Sequence, residues 1–227
     1  MRNPPPLLLA LDTSTHWVSL ALYDGASLLA EHTWRSNDYH TVELAPMVNQ
    51  ALQRLGLTAR HLTCVTVAIG PGSFTALRVG IALAKGLAIG GRMALVGVPT
   101  LDILATAQPA LNLPMIAALR AGRGRFALRR YAFQEMTWQA QGDYQILTLE
   151  QLTEAIEQPT WVCGEFEAAE RQALSANPRV QLASPWLCLR RAGRLAELGW
   201  ALWQAGKLAD PTTLAPIYLH YHEPIPA

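Results

Sequence analysis

Two short polar segments carry residue types that could bind a phosphate group. The first, Asp12-Thr13-Ser14, follows an apolar run at 7–11. In nucleotide-binding proteins that open with a hairpin, an acid and hydroxyls at this turn face the metal and the phosphates. An Asx-type turn, in which the carboxylate accepts hydrogen bonds from the nearby backbone, is the alternative. These residues alone leave both interpretations open.

The second polar segment is Gly70-Pro71-Gly72-Ser73-Phe74-Thr75, between a predicted strand and a predicted helix. Gly70 and Gly72 permit a tight turn, Ser73 or Thr75 could cap the helix, and free N–H groups at a helix start favour an anion. However, the segment lacks the lysine of a Walker A loop, and Thr75 stands where the dinucleotide fingerprint has its third glycine. A capped strand-to-helix turn without a ligand is the alternative.

The sequence gives little evidence for a metal site or for a catalytic nucleophile. His40 begins a predicted helix, but the second ligand of a His-x-x-x-His pair would fall at Leu44. His220 and His222 stand with Glu223 in a tail that has no cysteine and no second pair of ligands. The three cysteines occupy apolar runs without metal or disulfide spacing: Cys64, Cys163 and Cys188. We therefore expect no catalytic residue, no metal site and reduced, buried thiols.

The elements around these segments follow a regular order. The first part predicts strands at 7–11, at 18–22 and from residue 27, a helix at 41–55, a strand at 64–68, a helix ending near residue 89, and a strand at 94–98. Three antiparallel strands followed by strand–helix alternation predict a mixed sheet flanked by helices. The second part predicts a hairpin at 115–133, strands near 161–163 and 180–182, and a helix at 191–205. We predict an α/β protein of two related lobes, 1–108 and 109–227.

The two helices of the first lobe are candidates for a subunit interface. Small residues recur every four positions on the second of them, at Ala76, Gly80 and Ala84, and such a ridge lets another helix approach closely. Packing on the chain's own sheet is the alternative. The predicted partner-interface residues are His40, Leu44, Met47, Val48, Ala51, Ala76, Gly80 and Ala84. Gly80→Arg is expected to block the partner and leave the fold intact.

Composition narrows the class of protein. The chain has 227 residues, of which 51% are hydrophobic and only 15% charged, so intrinsic disorder is excluded and some apolar surface is expected in an interface. A protein that binds RNA by itself usually has a clear excess of basic residues, because its affinity depends on neutralising phosphates. The formal net charge here is only +1. The run at 7–11 is too short for a signal peptide and no uninterrupted stretch reaches transmembrane length, so we expect a cytoplasmic protein without membrane contact.

Several motifs together resemble the TsaB (YeaZ) family across nearly the whole chain. They are Leu9-Ala10-Leu11-Asp12-Thr13-Ser14, the stretch from His40 to Pro46, the stretch from Gly70 to Gly80, Gly97-Val98-Pro99-Thr100-Leu101, and Pro216-Ile217-Tyr218-Leu219. The resemblance implies an actin/Hsp70/sugar-kinase-like (ribonuclease H-like) fold. TsaD, the catalytic paralogue, holds a metal through a His-x-x-x-His helix, and Leu44 agrees with a paralogue that lost it.

The resemblance also implies a function and partners. It implies a non-catalytic subunit that forms a heterodimer with TsaD and acts with the ATPase TsaE, in the transfer of threonylcarbamoyl to the adenosine next to the tRNA anticodon. It implies a homodimer when the chain is alone, tRNA contact only through the complex, and no cofactor of its own, with ATP or ADP at the partner interface. The alternative is an independent phosphotransferase of the same fold that uses Asp12 and the 70–75 loop.

One segment departs from the family's pattern. Where the family reads Asp-Ala-Arg-x-x-Glu-Val-Tyr, this chain reads Arg120-Ala121-Gly122-Arg123-Gly124-Arg125-Phe126-Ala127, and Arg129 and Arg130 follow. The hypothesis is that this basic hairpin contacts RNA or an acidic surface. A solvated basic hairpin is the alternative.

Overall fold

The computed structural model describes residues 5–37 and 40–219. The first half contains β1 (Leu8–Asp12), β2 (Trp17–Tyr23), β3 (Leu28–Arg35), α1 (His40–Arg54), β4 (Cys64–Ala68), α2 (Phe74–Gly91), β5 (Ala94–Val98) and α3 (Thr100–Thr106). The second half contains β6 (Met115–Gly122), β7 (Arg125–Gln134), β8 (Thr137–Thr148), α4 (Leu149–Glu154), β9 (Thr160–Gly164), α5 (Ala168–Ser175), β10 (Val180–Leu182) and α6 (Ala192–Gln204). Short 3-10 helices lie at Ala59–His61 and Pro185–Cys188.

The two halves share one topology. The strand order is β3-β2-β1-β4-β5 in the first sheet and β8-β7-β6-β9-β10 in the second. In each sheet the first three strands are antiparallel and the last two run parallel to the first. This duplicated order confirms the predicted actin-like and sugar-kinase-like fold of two related lobes.

The first sheet is covered by helices on both faces because its central strand alternates two sets of apolar residues. Leu9 and Leu11 of β1 point to the face that α1 and α2 cover. Leu8 and Ala10 point to the opposite face, where they pack against α6. Both sets are fully buried, which explains why β1 reads as a continuous apolar run.

Each lobe ends in a helix that packs on the other lobe. Leu101 and Leu104 of α3 lie in the core of the second sheet, whereas Leu195 and Ala196 of α6 lie in the core of the first. The chain after α6 also returns to the first sheet, where Ile217 donates its N–H to the carbonyl of Ile69 at 2.7 Å. The boundary predicted at residue 108 lies between α3 and β6, so it separates the two sheets, whereas α6 and the segment after it pack on the first sheet. The lobes as predicted, 1–108 and 109–227, stay a prediction.

β8 is an element that the sequence did not predict. Its twelve residues are mostly polar and half-exposed, because the strand lies at the edge of the second sheet. An edge strand of this kind gives little apolar periodicity. The strand nevertheless pairs with β7 along most of its length.

One described helix, α2, is long and apolar enough to span a membrane by length and composition. Its inner side chains, among them Leu77 and Ile81, are buried on the sheet. This burial is typical of a core helix in a globular protein.

Candidate functional site

The two polar segments predicted for phosphate binding lie next to each other in the structure. Ser73 donates its N–H to the carbonyl of Ser14 at 2.7 Å. The hydroxyls of Ser14 and Thr100 form a hydrogen bond at 2.8 Å, and Thr100 Oγ1 also accepts the N–H of Gly70 at 2.9 Å. The β1–β2 turn and the 70–75 loop are thus joined by direct hydrogen bonds.

No ligand-sized gap separates these segments. A Cβ at Gly72 would lie 2.3 Å from the carbonyl oxygen of Ser14, so only glycine permits the contact. Thr13 Oγ1 donates to the carbonyl of Ala76 at 2.7 Å, which fastens the turn to the first turn of α2. Ser73 precedes α2 without capping it through its side chain. A phosphate contact by these residues stays a prediction, and their packing favours a tight strand-to-helix turn without a ligand.

Asp12 forms an ion pair with Arg190, a residue that the sequence analysis did not identify. Arg190 Nε donates to Asp12 Oδ2 at 2.8 Å, and Arg190 also pairs with Glu165. Asp12 Oδ1 accepts the N–H of Ser14 at 2.8 Å, as an Asx turn requires. The sequence signal was a pair of arginines, Arg190 and Arg191, after the largely apolar run that leads to α6, and the partners of Arg190 lie far away along the chain.

His40 has a structural contact that its position at the start of α1 did not reveal. Its Nε2 lies 3.1 Å from the carbonyl oxygen of Thr15, and the side chain is buried. The contact ties the start of α1 to the β1–β2 turn. Among residues 5–37 and 40–219, no group of three or more metal-ligating side chains occurs, and His220 and His222 lie outside the described residues.

The three cysteines are buried free thiols in the described structure. Burial raises the pKa of Cys64 to about 12. Burial also raises the pKa of Cys163 and of Cys188 above the ordinary value. The thiolate that a nucleophile or a metal ligand needs is therefore disfavoured at all three positions.

Most of the predicted partner-interface residues are buried within the chain, and contact of these residues with a partner stays a prediction. Met47 is half-buried, and the others are buried: His40, Leu44, Val48, Ala51, Ala76, Gly80 and Ala84. The physical reason is that the small residues of α2 let the helix approach the sheet and the β1–β2 turn. A Cβ at Gly80 would lie 2.4 Å from Thr13 Oγ1, so Gly80→Arg would disrupt the fold.

The outward faces of the same two helices remain apolar and exposed. Val42 is 64% exposed on α1, and Phe74 and Ile89 are 52% and 61% exposed on α2. Between the helices lies a groove of about 450 Å³. Its lining is mainly apolar: His40, Thr41, Leu44, Ala45, Phe74, Thr75, Arg78, Val79, Ala82 and Leu83. We call this surface, with Val42, Gly86 and Ile89, the α1–α2 face.

A second row of small residues runs along this face. Ala82, Gly86 and Gly90 are exposed at four-residue spacing on α2. A Cβ at Gly86 or Gly90 would meet no atom within 4 Å, so nothing inside the chain requires these glycines. Glycine inside a helix costs about 1 kcal/mol relative to alanine. The exposed row, rather than the buried one, permits close approach of another helix.

One end of the α1–α2 face is fixed by the C-terminal segment. The Arg78 guanidinium lies 3.8 Å from the centre of the Phe74 ring, and Arg78 Nε donates to the Tyr218 hydroxyl at 3.1 Å. The Phe74 and Tyr218 rings lie 5.1 Å apart. This cluster holds an exposed aromatic ring and a positive charge at the end of the groove.

The basic hairpin uses most of its arginines within the chain. Arg120 pairs with Glu167 and Glu170, and Arg129 and Arg130 donate to backbone carbonyls of Gly142 and Ala155. Arg123 stands exposed at the hairpin tip. An RNA contact through Arg123 and Arg125 stays a prediction, and the pairing of the neighbouring arginines favours a mainly structural role.

Comparisons with known proteins agree with this fold and these motifs. The family model for TsaD, the tRNA N6-adenosine threonylcarbamoyltransferase, matches residues 29–184, more than half of the chain. The chain is 30% identical over 217 residues to the tRNA threonylcarbamoyladenosine biosynthesis protein TsaB of Escherichia coli K12, covering 93% of this chain and 94% of that protein. TsaB of Haemophilus influenzae is 39% identical over 111 residues, 47% of this chain and 44% of that protein.

A solved structure extends the similarity over the whole fold. YeaZ from Pseudomonas aeruginosa superposes with a TM-score of 0.77 at 25% identity, covering 94% of this chain and 100% of that one. Sequence motifs, duplicated sheet topology and overall structure thus point to one group of proteins. The chain belongs to the TsaB (YeaZ) family of tRNA threonylcarbamoyladenosine biosynthesis proteins.

Proposed function

We propose that this chain is the non-catalytic subunit of a complex with TsaD and the ATPase TsaE, which transfers threonylcarbamoyl to the adenosine next to the tRNA anticodon. The observation that carries the proposal is the α1–α2 face. Its exposed apolar side chains and its row of small residues suit a helix pair of a partner. A face of this kind is an unusual surface for a free monomer.

The likeness of this chain to TsaD supports the choice of partner. The TsaD family model matches residues that include both α1 and α2, so TsaD is expected to carry an equivalent helix pair. Two equivalent helix pairs can pack about an approximate two-fold axis. The same geometry would let two copies of this chain form a homodimer when TsaD is absent. Bound ATP or ADP at that interface stays a prediction.

The site geometry supports a role without catalysis by this chain alone. An independent phosphotransferase would need a carboxylate that can reach a metal or a phosphate. Asp12 is 1% exposed and its oxygens accept hydrogen bonds from Arg190 and Ser14. For this reason we propose that tRNA contact and chemistry belong to the assembled complex.

The test is to place a large charged side chain on the α1–α2 face. Ala82→Arg should abolish co-purification with TsaD and lower threonylcarbamoyladenosine formation in an assay of TsaD, TsaE, tRNA and this chain. Ala82 is exposed, so the variant should fold normally. The matched control is Ala201→Arg, an exposed alanine of α6 on the other side of the first sheet. Binding of TsaD by Ala82→Arg at wild-type affinity would rule out this surface.

A further inference from the structure

The buried guanidinium of Arg190 lies at the point where the two lobes meet. Its side chain is 0% exposed, and every hydrogen-bonding nitrogen of its guanidinium has an acceptor. Nε donates to Asp12 Oδ2 at 2.8 Å, and Nη1 donates to Glu165 Oε1. Nη2 donates to Thr15 Oγ1 at 2.9 Å and to the carbonyl of Trp17 at 3.3 Å.

These acceptors belong to both lobes. Asp12 ends β1, Thr15 lies in the turn to β2 and Trp17 begins β2, all in the first lobe. Glu165 directly follows β9 in the second lobe, and it also accepts the Thr15 hydroxyl at 2.9 Å. Arg190 itself precedes α6, so one side chain ties together three separate parts of the chain.

Charge explains why this residue must be cationic. Asp12 and Glu165 both lie within hydrogen-bonding distance of one guanidinium, so without it two carboxylates would face each other in a nearly dry site. Burial lowers the pKa of Arg190, but the charges of Asp12 and Glu165 outweigh burial and raise it above its ordinary value. The two carboxylates therefore hold Arg190 in its charged form.

We propose that Arg190 is a built-in cation that takes the place of a divalent metal between Asp12 and Glu165 and locks the two lobes together. Two carboxylates, a hydroxyl and a backbone carbonyl are the oxygen ligands that Mg²⁺ and Mn²⁺ accept, and here all four are directed at the guanidinium. The cleft consequently admits no metal-bound nucleotide at Asp12. Opening of the lobes requires separation of a buried charge network.

The experiment removes the guanidinium and offers a metal in its place. Arg190→Ala should lower Tm by about 10 °C because a buried ion pair loses one partner. Adding about 10 mM Mg²⁺ or Mn²⁺ should then raise the Tm of Arg190→Ala by about 5 °C, because only its folded state offers both carboxylates. The wild-type Tm should not change with either cation or with Mg²⁺-ATP.

Two control variants separate this role from general damage. Arg191→Ala removes the neighbouring arginine, which is largely exposed and pairs with Glu31, and should lower Tm by about 2 °C or less without any response to cations. Asp12→Asn together with Arg190→Ala should lose the Mg²⁺ response, because one of the two carboxylates is gone.

If Arg190→Ala does not fold, a variant in which all three charged side chains are replaced by neutral ones tests the proposal instead. The triple variant Asp12→Asn, Glu165→Gln, Arg190→Met removes all three charges and should fold. Recovery of soluble, cooperatively melting protein in the triple variant supports the proposal. A triple variant no more stable than Arg190→Ala would overturn the proposal. So would a cation response that persists when Asp12→Asn is added to Arg190→Ala, or stabilisation of the wild-type chain by Mg²⁺-ATP.

Discussion

Single atoms decide which side of α2 is available to a partner. Gly80 and Gly86 are both glycines inside the same helix, but they differ in what surrounds them. The space beside Gly80 is filled by Thr13, whereas the space beside Gly86 is open. The sequence analysis chose the row that contains Gly80 as the partner ridge, because a small residue on a helix looks the same whether it faces a sheet or solvent.

This contrast gives a prediction for two matched substitutions. Gly80→Ala should lower the free energy of unfolding by about 1–3 kcal/mol, because its methyl group would overlap Thr13. Gly86→Ala should raise it by about 0.5–1 kcal/mol, because alanine is the better helix former and meets no clash. Urea denaturation of both variants measures the two effects. Changes of the same sign at both positions would contradict the assigned packing.

Asp102 is a second residue whose role appears only in the folded chain. The Tyr131 hydroxyl donates to Asp102 Oδ1 at 2.7 Å, across the boundary between α3 and the second sheet. Burial raises the pKa of Asp102 above its ordinary value of 3.8, and this effect exceeds the opposing effects of Tyr131 and Arg129. The folded state therefore holds the Asp102 proton to a higher pH than the unfolded state does.

The sign of the resulting pH dependence follows from that difference. Between the unfolded and folded pKa values of Asp102, the folded state binds more protons, so its contribution to stability falls as pH rises. Asp102→Asn keeps an acceptor for the Tyr131 hydroxyl and removes the fall in stability that the titration of Asp102 causes. Chemical denaturation between about pH 4 and pH 7 should show the variant gaining stability relative to wild type as pH rises. A constant difference across that range would show that Asp102 does not titrate there.

The residues of the Arg190 network could not be predicted from the sequence. Arg190 lies 178 positions from Asp12 and 25 from Glu165 along the chain. No local pattern connects residues at such separations, and only the meeting of the two lobes brings them together. The family motifs around Asp12 and Gly70 were visible because they are contiguous, although their mutual packing was not.

At the scale of elements, the sequence predicted the bounds of the helices better than it predicted which of their faces are buried. The bounds of α1, α2 and β5 agree closely with the predicted ones, because each has strong periodicity or clear flanking turns. The faces of α2 were ambiguous because apolar or small residues occupy almost its whole circumference. Only the position of the first sheet shows that Ala84 points inward and Ala82 outward.

The α1–α2 face also predicts how the isolated chain associates. Ile89→Glu should weaken a homodimer at least tenfold, because burial of a charge in an apolar interface is unfavourable. The control is Met136→Glu, which changes an apolar residue that is 87% exposed at the turn between β7 and β8. Sedimentation equilibrium of both variants and of wild type makes the comparison. Equal effects of the two substitutions would show that the α1–α2 face is not the contact.

At the scale of the whole molecule, the exchange of helices makes the two lobes interdependent. The core of the first sheet includes Leu195 of α6, and the core of the second includes Leu104 of α3. The ion pairs of Arg190 with Asp12 and with Glu165 also join the two lobes. The sequence predicted two related lobes, although it missed β8, which completes the repeated order of strands. The exchange of helices was not predictable, because a helix following a strand gives no sign of which sheet it will cover.

This interdependence can be tested by cutting the chain where the sequence placed the boundary. A fragment of residues 1–108 should not melt cooperatively, because Leu8 and Ala10 lose the cover that α6 gives them. Joining residues 1–98 to 189–219 through a flexible linker restores α6 to the first sheet, and that chain should melt cooperatively. Circular dichroism melting and hydrogen exchange distinguish the two. If the 1–108 fragment proved as cooperative as the linked chain, α6 would be an accessory to the first lobe, and the lobes would be independent folding units.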